Sequence, residues 1–310
     1  MFMRPLDLVL AVFFNLFAFT LGYMPLWAVQ FASWLISLFL YPFVGVLFGL
    51  RRRVVGNLRA AYGDSLTNRQ AKKIGRRVVS NQLLFFMEAF FYYHERNGTA
   101  FRQRVSVEGL ENVAAARKGS KGVIGVTGHF GNFQLMMLRL SLEDSRFITL
   151  IRQPKSRVLS SAWANRIDDF GLKKIMMKNR VSATKEIMRE LRRSAFIMFI
   201  ADEYTRRGGD LITFFGKKTA MAAGPAQLSL RMGIPLLPCF IIREDTGLYR
   251  IIIEKAIEIT PTGDRDADSL ALTQKRIEIL ERYIRLYTDH WLWTQSRWKK
   301  RRYGRRQGTP

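Results

Sequence analysis

The sequence predicts an α/β fold: a mixed, mainly parallel sheet flanked by helices, with an N-terminal apolar membrane-anchoring helical segment. Three observations predict it. Short, near-continuous apolar runs alternate with helical stretches through the middle of the chain, the pattern of strands buried on both faces. The first 50 residues hold only Arg4 and Asp7 as charged groups, with none between Leu8 and Leu50. The rest of the 310 residues carry almost all of the 50 basic and 25 acidic side chains, a formal net charge of +25.

The apolar N-terminus exceeds the ~20 residues that a helix needs to cross a bilayer. Gly22 and Pro25 divide it into Leu8–Leu21 and Leu26–Leu50. One tilted span, a hairpin and an interfacial arrangement all fit, and Trp27, Trp34 and Tyr41 suit a headgroup boundary. A cleavable signal peptide does not fit, because the run is too long and no small-residue cleavage site leads into a polar chain. Arg51, Arg52 and Arg53 follow directly and place the next segment in the cytoplasm by the positive-inside rule.

Residues 51–104 read as a basic helical linker with 12 basic and 3 acidic residues. The C-terminus repeats the bias, with Arg297, Lys299, Lys300, Arg301, Arg302, Arg305 and Arg306 interleaved with Trp298 and Tyr303. Beside an apolar anchor, such segments fit an anionic membrane surface, where each cation contributes about 1 kcal/mol. No segment resembles a nucleic-acid module, so nucleic acid is not the expected partner. The expected organisation is a membrane anchor over 1–50, the linker over 51–104, the α/β domain over 105–299 and a basic tail over 300–310.

Within the domain, strands are predicted at Lys121–Thr127, Phe147–Ile151, Ala195–Ala201, Pro235–Ile242 and Leu248–Ile253. Helices are predicted at Phe133–Leu142, Ser160–Phe170, Val181–Arg193, Gly224–Met232 and Leu270–Trp293. Pro225 is allowed in a first helical turn. Composition excludes other classes. At 48% hydrophobic and 13% aromatic the chain is not disordered. Cys239 is the one cysteine, which rules out a disulfide scaffold and cysteine zinc sites. Three histidines leave little for a metal cluster, so no metal or bound organic cofactor is expected.

Sites in open α/β sheets lie at the carboxyl ends of strands. The first predicted domain strand exits into Thr127-Gly128-His129-Phe130-Gly131-Asn132-Phe133-Gln134. The flanking glycines allow a sharp turn that leaves His129 at the sheet edge. A helix N-terminus just beyond disfavours the imidazolium and is expected to keep His129 a neutral base. His94 and His290 read as structural, and Cys239 as a core strand residue. Asn132 lies close enough in sequence to help position substrate or a developing oxyanion. Arg152, at a strand end, and Arg180 are candidates for phosphate recognition. Phe133, Met136 and Met137 could line an apolar channel or be ordinary core.

The segment at His129 resembles the H-x4-D/E block of membrane glycerolipid and lipid A acyltransferases, and most closely the late lipid A acyltransferases. Other blocks agree in order: Asn57-Leu58-Arg59-Ala60-Ala61-Tyr62, Arg152-Gln153-Pro154-Lys155, Ala201-Asp202-Glu203-Tyr204, Phe214-Phe215-Gly216 with Ala223-Gly224-Pro225-Ala226, and Trp291-Leu292-Trp293 with Arg297-Trp298-Lys299. The resemblance runs from about Arg51 to Lys299. It implies transfer of a fatty acyl chain from an acyl carrier protein or coenzyme A thioester to a hydroxyl of a lipid A precursor or related glycolipid. It also implies a bacterial inner membrane location with the site on the cytoplasmic face. By this likeness His129 is the general base, and Asp202 could order nearby basic groups.

One departure stands out. The family's acidic position is Gln134 here. An amide can accept a hydrogen bond from the ring but cannot supply a full negative charge to an imidazolium. Three readings follow: an engineered substitution, a native site assisted by another carboxylate such as Asp202 or Glu203, or a lipid-binding scaffold with impaired catalysis. A different class, an NADP-binding reductase, is suggested by glycines at 125, 128 and 131. G-x-G-x-x-G spacing and a Tyr-x-x-x-Lys pair are both absent from the sequence, which makes that reading minor.

Overall fold

A computed structural model describes residues 5–44, 49–94, 98–119, 122–152, 171–205, 209–295, 297 and 298. The predicted helix at Ser160–Phe170, Gln153 to Lys155 and the tail over 300–310 lie outside the described residues. Two helices open the chain: α1 (Pro5–Tyr23) and α2 (Leu26–Phe39), the latter continuing into a π-helical turn, Leu40–Val44. Pro25 is the N-cap of α2, where its fixed φ of −65° suits an entry into a helix but cannot continue the one before. The basic segment forms α3 (Leu50–Tyr62), α4 (Asn68–His94) and α5 (Gly98–Arg104).

The domain then runs β1 (Val105–Glu108), α6 (Leu110–Gly119), β2 (Val123–Thr127), α7 (Phe133–Glu143), β3 (Phe147–Ile151), β4 (Lys174–Met176), α8 (Arg180–Arg192), β5 (Phe196–Ile200), β6 (Gly209–Phe214), β7 (Lys217–Ala222), α9 (Gly224–Met232), β8 (Leu236–Arg243), β9 (Tyr249–Ile253) and α10 (Arg265–Leu286). A seven-stranded sheet has the order β1-β9-β8-β2-β5-β3-β4. Every neighbouring pair is parallel except β8 with β9, so the sheet is mixed and mainly parallel, as predicted.

The period-2 alternation of strands sorts side chains onto two faces. On β5, Phe196 and Met198 join Leu135, Met136, Phe147 and Leu237 on one face, with Phe85 and Ala89 of α4 packed over them. Ile197, with Ile124 and Val126 of β2, meets Ile187 and Leu191 of α8 on the other. Burial on both faces is why β2 carries no polar side chain until Thr127. Each such buried Ile, Leu or Phe contributes on the order of 1.5–3 kcal/mol. Cys239 lies in this core, as do Met136 and Met137.

The structure differs from the sequence reading at several elements. The predicted helix Leu270–Trp293 begins earlier, at an Asp264 cap whose side chain accepts from the backbone N–H groups of Asp266 and Ala267, and it ends at Leu286. A 3₁₀ turn, Thr288–His290, follows, and Trp291 pairs with Phe130 as an antiparallel bridge. His290 is therefore in the turn and not inside a helix. The β6–β7 hairpin, β1 and β4 were not foreseen. The hairpin turns at Phe215 and Gly216, both at positive φ (49° and 70°), the geometry of a tight I′ connection.

Candidate active site

Strands β2, β5, β3 and β4 are parallel neighbours, so their carboxyl ends share one edge. His129 follows β2, Asp202 and Glu203 follow β5, and Arg152 follows β3. The turn that carries His129 is tight. Phe130 N–H bonds Gly128 O at 2.8 Å, and Gly131 N–H bonds His290 O at 2.9 Å. Gly131 has φ of +56°, and a Cβ there would lie 2.1 Å from Ile241 O. Only glycine fits. A Cβ on Gly128 would press on Asp202 Cβ and Cγ at 3.2 Å, so the bare glycine lets that carboxylate close on the histidine.

Asp202 Oδ1 is 2.7 Å from His129 Nδ1. A carboxylate only accepts, so Nδ1 carries the hydrogen and Nε2 is left with its lone pair. The other oxygen, Oδ2, accepts from Trp291 Nε1 at 2.8 Å and from Arg297 Nη2 at 2.9 Å. Asp202 is 0% exposed and Arg297 1%, and the Arg297 guanidinium stands 5.0 Å over the Trp291 ring. Burial alone would raise the Asp202 pKa, but the Arg297 charge first, then His129, hold it well below the usual carboxylate range. Arg276, also buried, anchors the strand end by donating to Ala201 O (2.8 Å) and Ala222 O (2.5 Å), and burial lowers its own pKa to about 10.

The His129 side chain is 19% exposed, and its Nε2 lies 4.0 Å from Glu203 Oε1. Burial disfavours the imidazolium, and Arg297 adds to that. The Asp202 carboxylate outweighs both, with a smaller contribution from Glu203, so the pKa of His129 lies above the ordinary histidine value. The expected influence of the helix N-terminus is thus corrected in direction: a buried carboxylate at hydrogen-bond distance outweighs a terminal dipole, so the pKa of the ring goes up, not down.

The remaining candidates separate. Gln134 sits half-buried in the first turn of α7, and the group bonded to Nδ1 is Asp202. Asn132 is fully buried; its Oδ1 caps α7 by accepting from Leu135 N–H (3.2 Å), and its Nδ2 donates to Phe85 O (3.1 Å). Both partners are backbone groups of the scaffold. Arg152, 81% exposed, donates to Glu203 Oε2 at 3.2 Å and so borders the open side of His129. Arg180 is exposed at the start of α8, beyond β4 and three strands from β2, about 14 Å at usual strand spacing. Phe133 meets the His129 ring edge-on at 5.3 Å between centroids. Trp291, Arg297 and Arg276 were not among the sequence candidates for the site, although the first two stand in the C-terminal block quoted for the resemblance. Among the described residues, no group of three or more His, Cys, Asp or Glu is placed to hold a metal ion.

Comparison with known proteins shows the family. Residues 4–300 match the family described as bacterial lipid A biosynthesis acyltransferase. A phosphatidylinositol mannoside acyltransferase of Mycobacterium tuberculosis is 24% identical over 193 residues, covering 62% of this chain and 59% of that protein. The enzyme of that name from Mycolicibacterium smegmatis is 23% identical over 248 residues, 79% of this chain and 76% of the relative. A lipid A biosynthesis palmitoleoyltransferase of Escherichia coli is 27% identical over 207 residues, 66% of this chain and 64% of the relative. A match over nearly the whole length leaves no ambiguity of family: the chain belongs to the bacterial lipid A biosynthesis acyltransferases.

Proposed function

We propose that this protein transfers a fatty acyl chain from a carrier thioester to a hydroxyl of a lipid A precursor or related glycolipid, at the cytoplasmic face of a bacterial inner membrane. One observation carries the reading: His129 is fixed through Nδ1 by an ionised, buried Asp202 while Nε2 faces the partly open side. Nε2 takes the proton of the acceptor hydroxyl as its oxygen attacks the thioester carbonyl. The tetrahedral intermediate collapses, the C–S bond breaks, and the imidazolium returns the proton to the thiolate. The products are an ester and the free carrier thiol. Asp202 orients the ring and stabilises its charged form during the transfer, as the carboxylate of a catalytic triad does. The Gln134 amide is not needed for that role. Arg152, exposed beside the opening, is placed to meet a phosphate of donor or acceptor.

The reading is supported by the family match and by relatives that are named acyltransferases of two glycolipid types. The test incubates the purified chain and its His129→Ala variant with acyl-carrier-protein or acyl-coenzyme A donors and a lipid A precursor. Transfer from at least one donor is expected, reduced about 10²–10⁴-fold in the variant. No transfer by the native chain with any donor would overturn the proposal in favour of a non-catalytic lipid-binding role.

A further inference from the structure

A cavity of about 570 Å³ opens between α4, the β8–β9 turn, the end of α10 and the 3₁₀ turn that follows it. It lies apart from the opening of His129. Asp202, Glu203 and Arg152 stand at the ends of β5 and β3, on one side of β2, and the cavity stands at the β8–β9 turn, on the other. Arg77 of α4, Arg243 at the end of β8 and Arg250 of β9 line it, with an apolar wall from Ile74, Ile242 and Leu286. Three carboxylates share the lining, Glu244, Asp245 and Asp289, and two of them are already bonded. Glu244 Oε1 accepts from Arg250 Nε at 3.0 Å, and Arg250 Nη1 also donates to Glu108 Oε2 at 3.2 Å. Asp289 Oδ1 accepts from His290 Nδ1 at 3.0 Å, because His290 Nε2 accepts from the Arg243 backbone N–H at 3.2 Å.

Arg77 and Arg243 are left over: among the described residues neither has a carboxylate within salt-bridge distance, although the Arg77 charge acts on Asp289. Arg243 is set apart by its surroundings. It is half-buried, its guanidinium makes no hydrogen bond to the protein among the described residues, and its Nε is enclosed. Its Nη2 would meet a Cβ on Gly247 at 3.2 Å, so the bare glycine, at φ of +81°, leaves the guanidinium its place against the turn. The buried acid that feels its charge, Glu88, is bonded instead to Gln30 and Tyr249, and burial raises the Glu88 pKa. Arg243 is thus a cation held in position by packing, with donors unspent. We propose that this cavity binds a small organic phosphomonoester. Its volume falls in the range of small-molecule sites and exceeds what a bare phosphate fills. Arg77 and Arg243 meet the phosphate oxygens, which guanidinium donors match. Asp245, exposed in the turn, accepts from a ligand hydroxyl. The carboxylates in the lining disfavour a polyanion, and one phosphate group answers two free guanidinia. The wall of the cavity also holds the His129 turn. His290 O accepts from Gly131 N–H at 2.9 Å, and the next residue, Trp291, donates to Asp202. A ligand there steadies the segment on which both contacts depend.

The inference goes beyond the proposed acyl transfer and does not rest on it, so its test reads binding. The purified full chain is titrated calorimetrically with glycerol 3-phosphate. Saturable binding of one equivalent is expected, weakened at least about tenfold by Arg243→Gln and by Arg77→Gln, each of which removes a charge-assisted contact. Arg77 is exposed, so its variant keeps the test open if the half-buried Arg243→Gln chain does not fold. Arg69→Gln, at an exposed cation of α4 outside the cavity, is expected to leave the affinity unchanged. A second arm adds dihexanoyl phosphatidic acid below its micelle concentration. Displacement of glycerol 3-phosphate supports the site with a lipid headgroup as the source of the phosphate, and no displacement supports it with a free phosphate ester as the source. No saturable binding at millimolar concentration, or a loss of affinity as large in Arg69→Gln as in Arg77→Gln, would overturn the inference in favour of nonspecific attraction to a basic protein. Either result leaves the proposed acyl transfer standing, and absence of transfer by the native chain would not touch the binding result.

Discussion

Near the N-terminus Trp27 and Trp34 are 71% and 53% exposed, whereas near the C-terminus Trp291 and Trp293 are both 0% exposed. The two segments have similar aromatic content and opposite construction. On α2 the indoles point outward and the helix is held from behind by a few hydrogen bonds to α4. In the segment after α10 every tryptophan N–H has a protein acceptor: Trp291 bonds Asp202, Trp293 bonds Thr288 O, and Trp298 bonds Phe214 O. Asn57 Nδ2 donates to Trp293 O at 2.7 Å, and Thr219 Oγ1 to Arg297 O at 2.6 Å, locking the segment to α3 and β7. The lesson is that aromatic content does not report role. An indole whose N–H is satisfied inside the protein is part of the scaffold, and one on an outer helix face leaves its ring exposed.

The largest stability effect is expected at the C-terminal end. Arg297→Ala leaves the Asp202 carboxylate buried without its cation, and loss of one partner of a buried pair costs about 3–5 kcal/mol. Thermal or denaturant unfolding measures it; a loss within the range of a surface pair would contradict the assigned role. Next is Gly131→Ala, which forces a Cβ against Ile241 O and a left-handed backbone onto an L residue, costing at least about 1–2 kcal/mol. Smallest is the Phe31→Ser/Trp34→Ser/Phe39→Ser variant, whose unfolding in vesicle-free buffer should change by no more than about 0.5 kcal/mol per site, as at an ordinary surface.

The pH dependence of stability follows from the same groups. Asp202 has a depressed pKa in the folded protein, so its contribution is full above the unfolded value of about 3.9 and is lost as pH falls through the folded value. His129 has a raised pKa, so its contribution is full below about 6.5 and is lost as pH rises through the folded value. Acid unfolding should therefore steepen below pH ~4. An Arg297→Gln variant should show a weaker dependence there, because the cation that depresses the Asp202 pKa is gone.

The sheet was legible because β2, β5 and β8 are apolar runs buried on both faces. The edge elements were not. β1 reads Val-Ser-Val-Glu and is four residues long, and β4 has three. The β6–β7 turn uses Phe215-Gly216, which lacks the usual Asn-Gly signal. The helix predicted to Trp293 stops at Leu286 because Trp291 and Trp293 have their partners on other elements, Asp202 and Asn57. Near His129 the glycines made the tight turn readable, whereas the contact of Asp202 with the ring was not. Contact with Arg297, 95 residues further on, and with Trp291, 89 residues on, exists only in three dimensions. The position that is acidic in the family by the resemblance holds Gln134 here, and the carboxylate at His129 Nδ1 comes from the end of β5.

Asp202, and not the residue at 134, is the carboxylate bonded to His129 Nδ1. The pH dependence of kcat/KM for acyl transfer, measured on the native chain, Asp202→Asn and Gln134→Glu, shows whether that contact sets the base. The native acid limb should have its midpoint above about 6.5, because the base must be neutral and its pKa is raised. Asp202→Asn should lower transfer by at least about 10²-fold and move that limb to lower pH. Gln134→Glu should stay within about tenfold, or roughly 1.4 kcal/mol, of the native chain. A large gain from Gln134→Glu, with Asp202→Asn leaving both rate and midpoint unmoved, would assign the tuning to position 134 instead of Asp202.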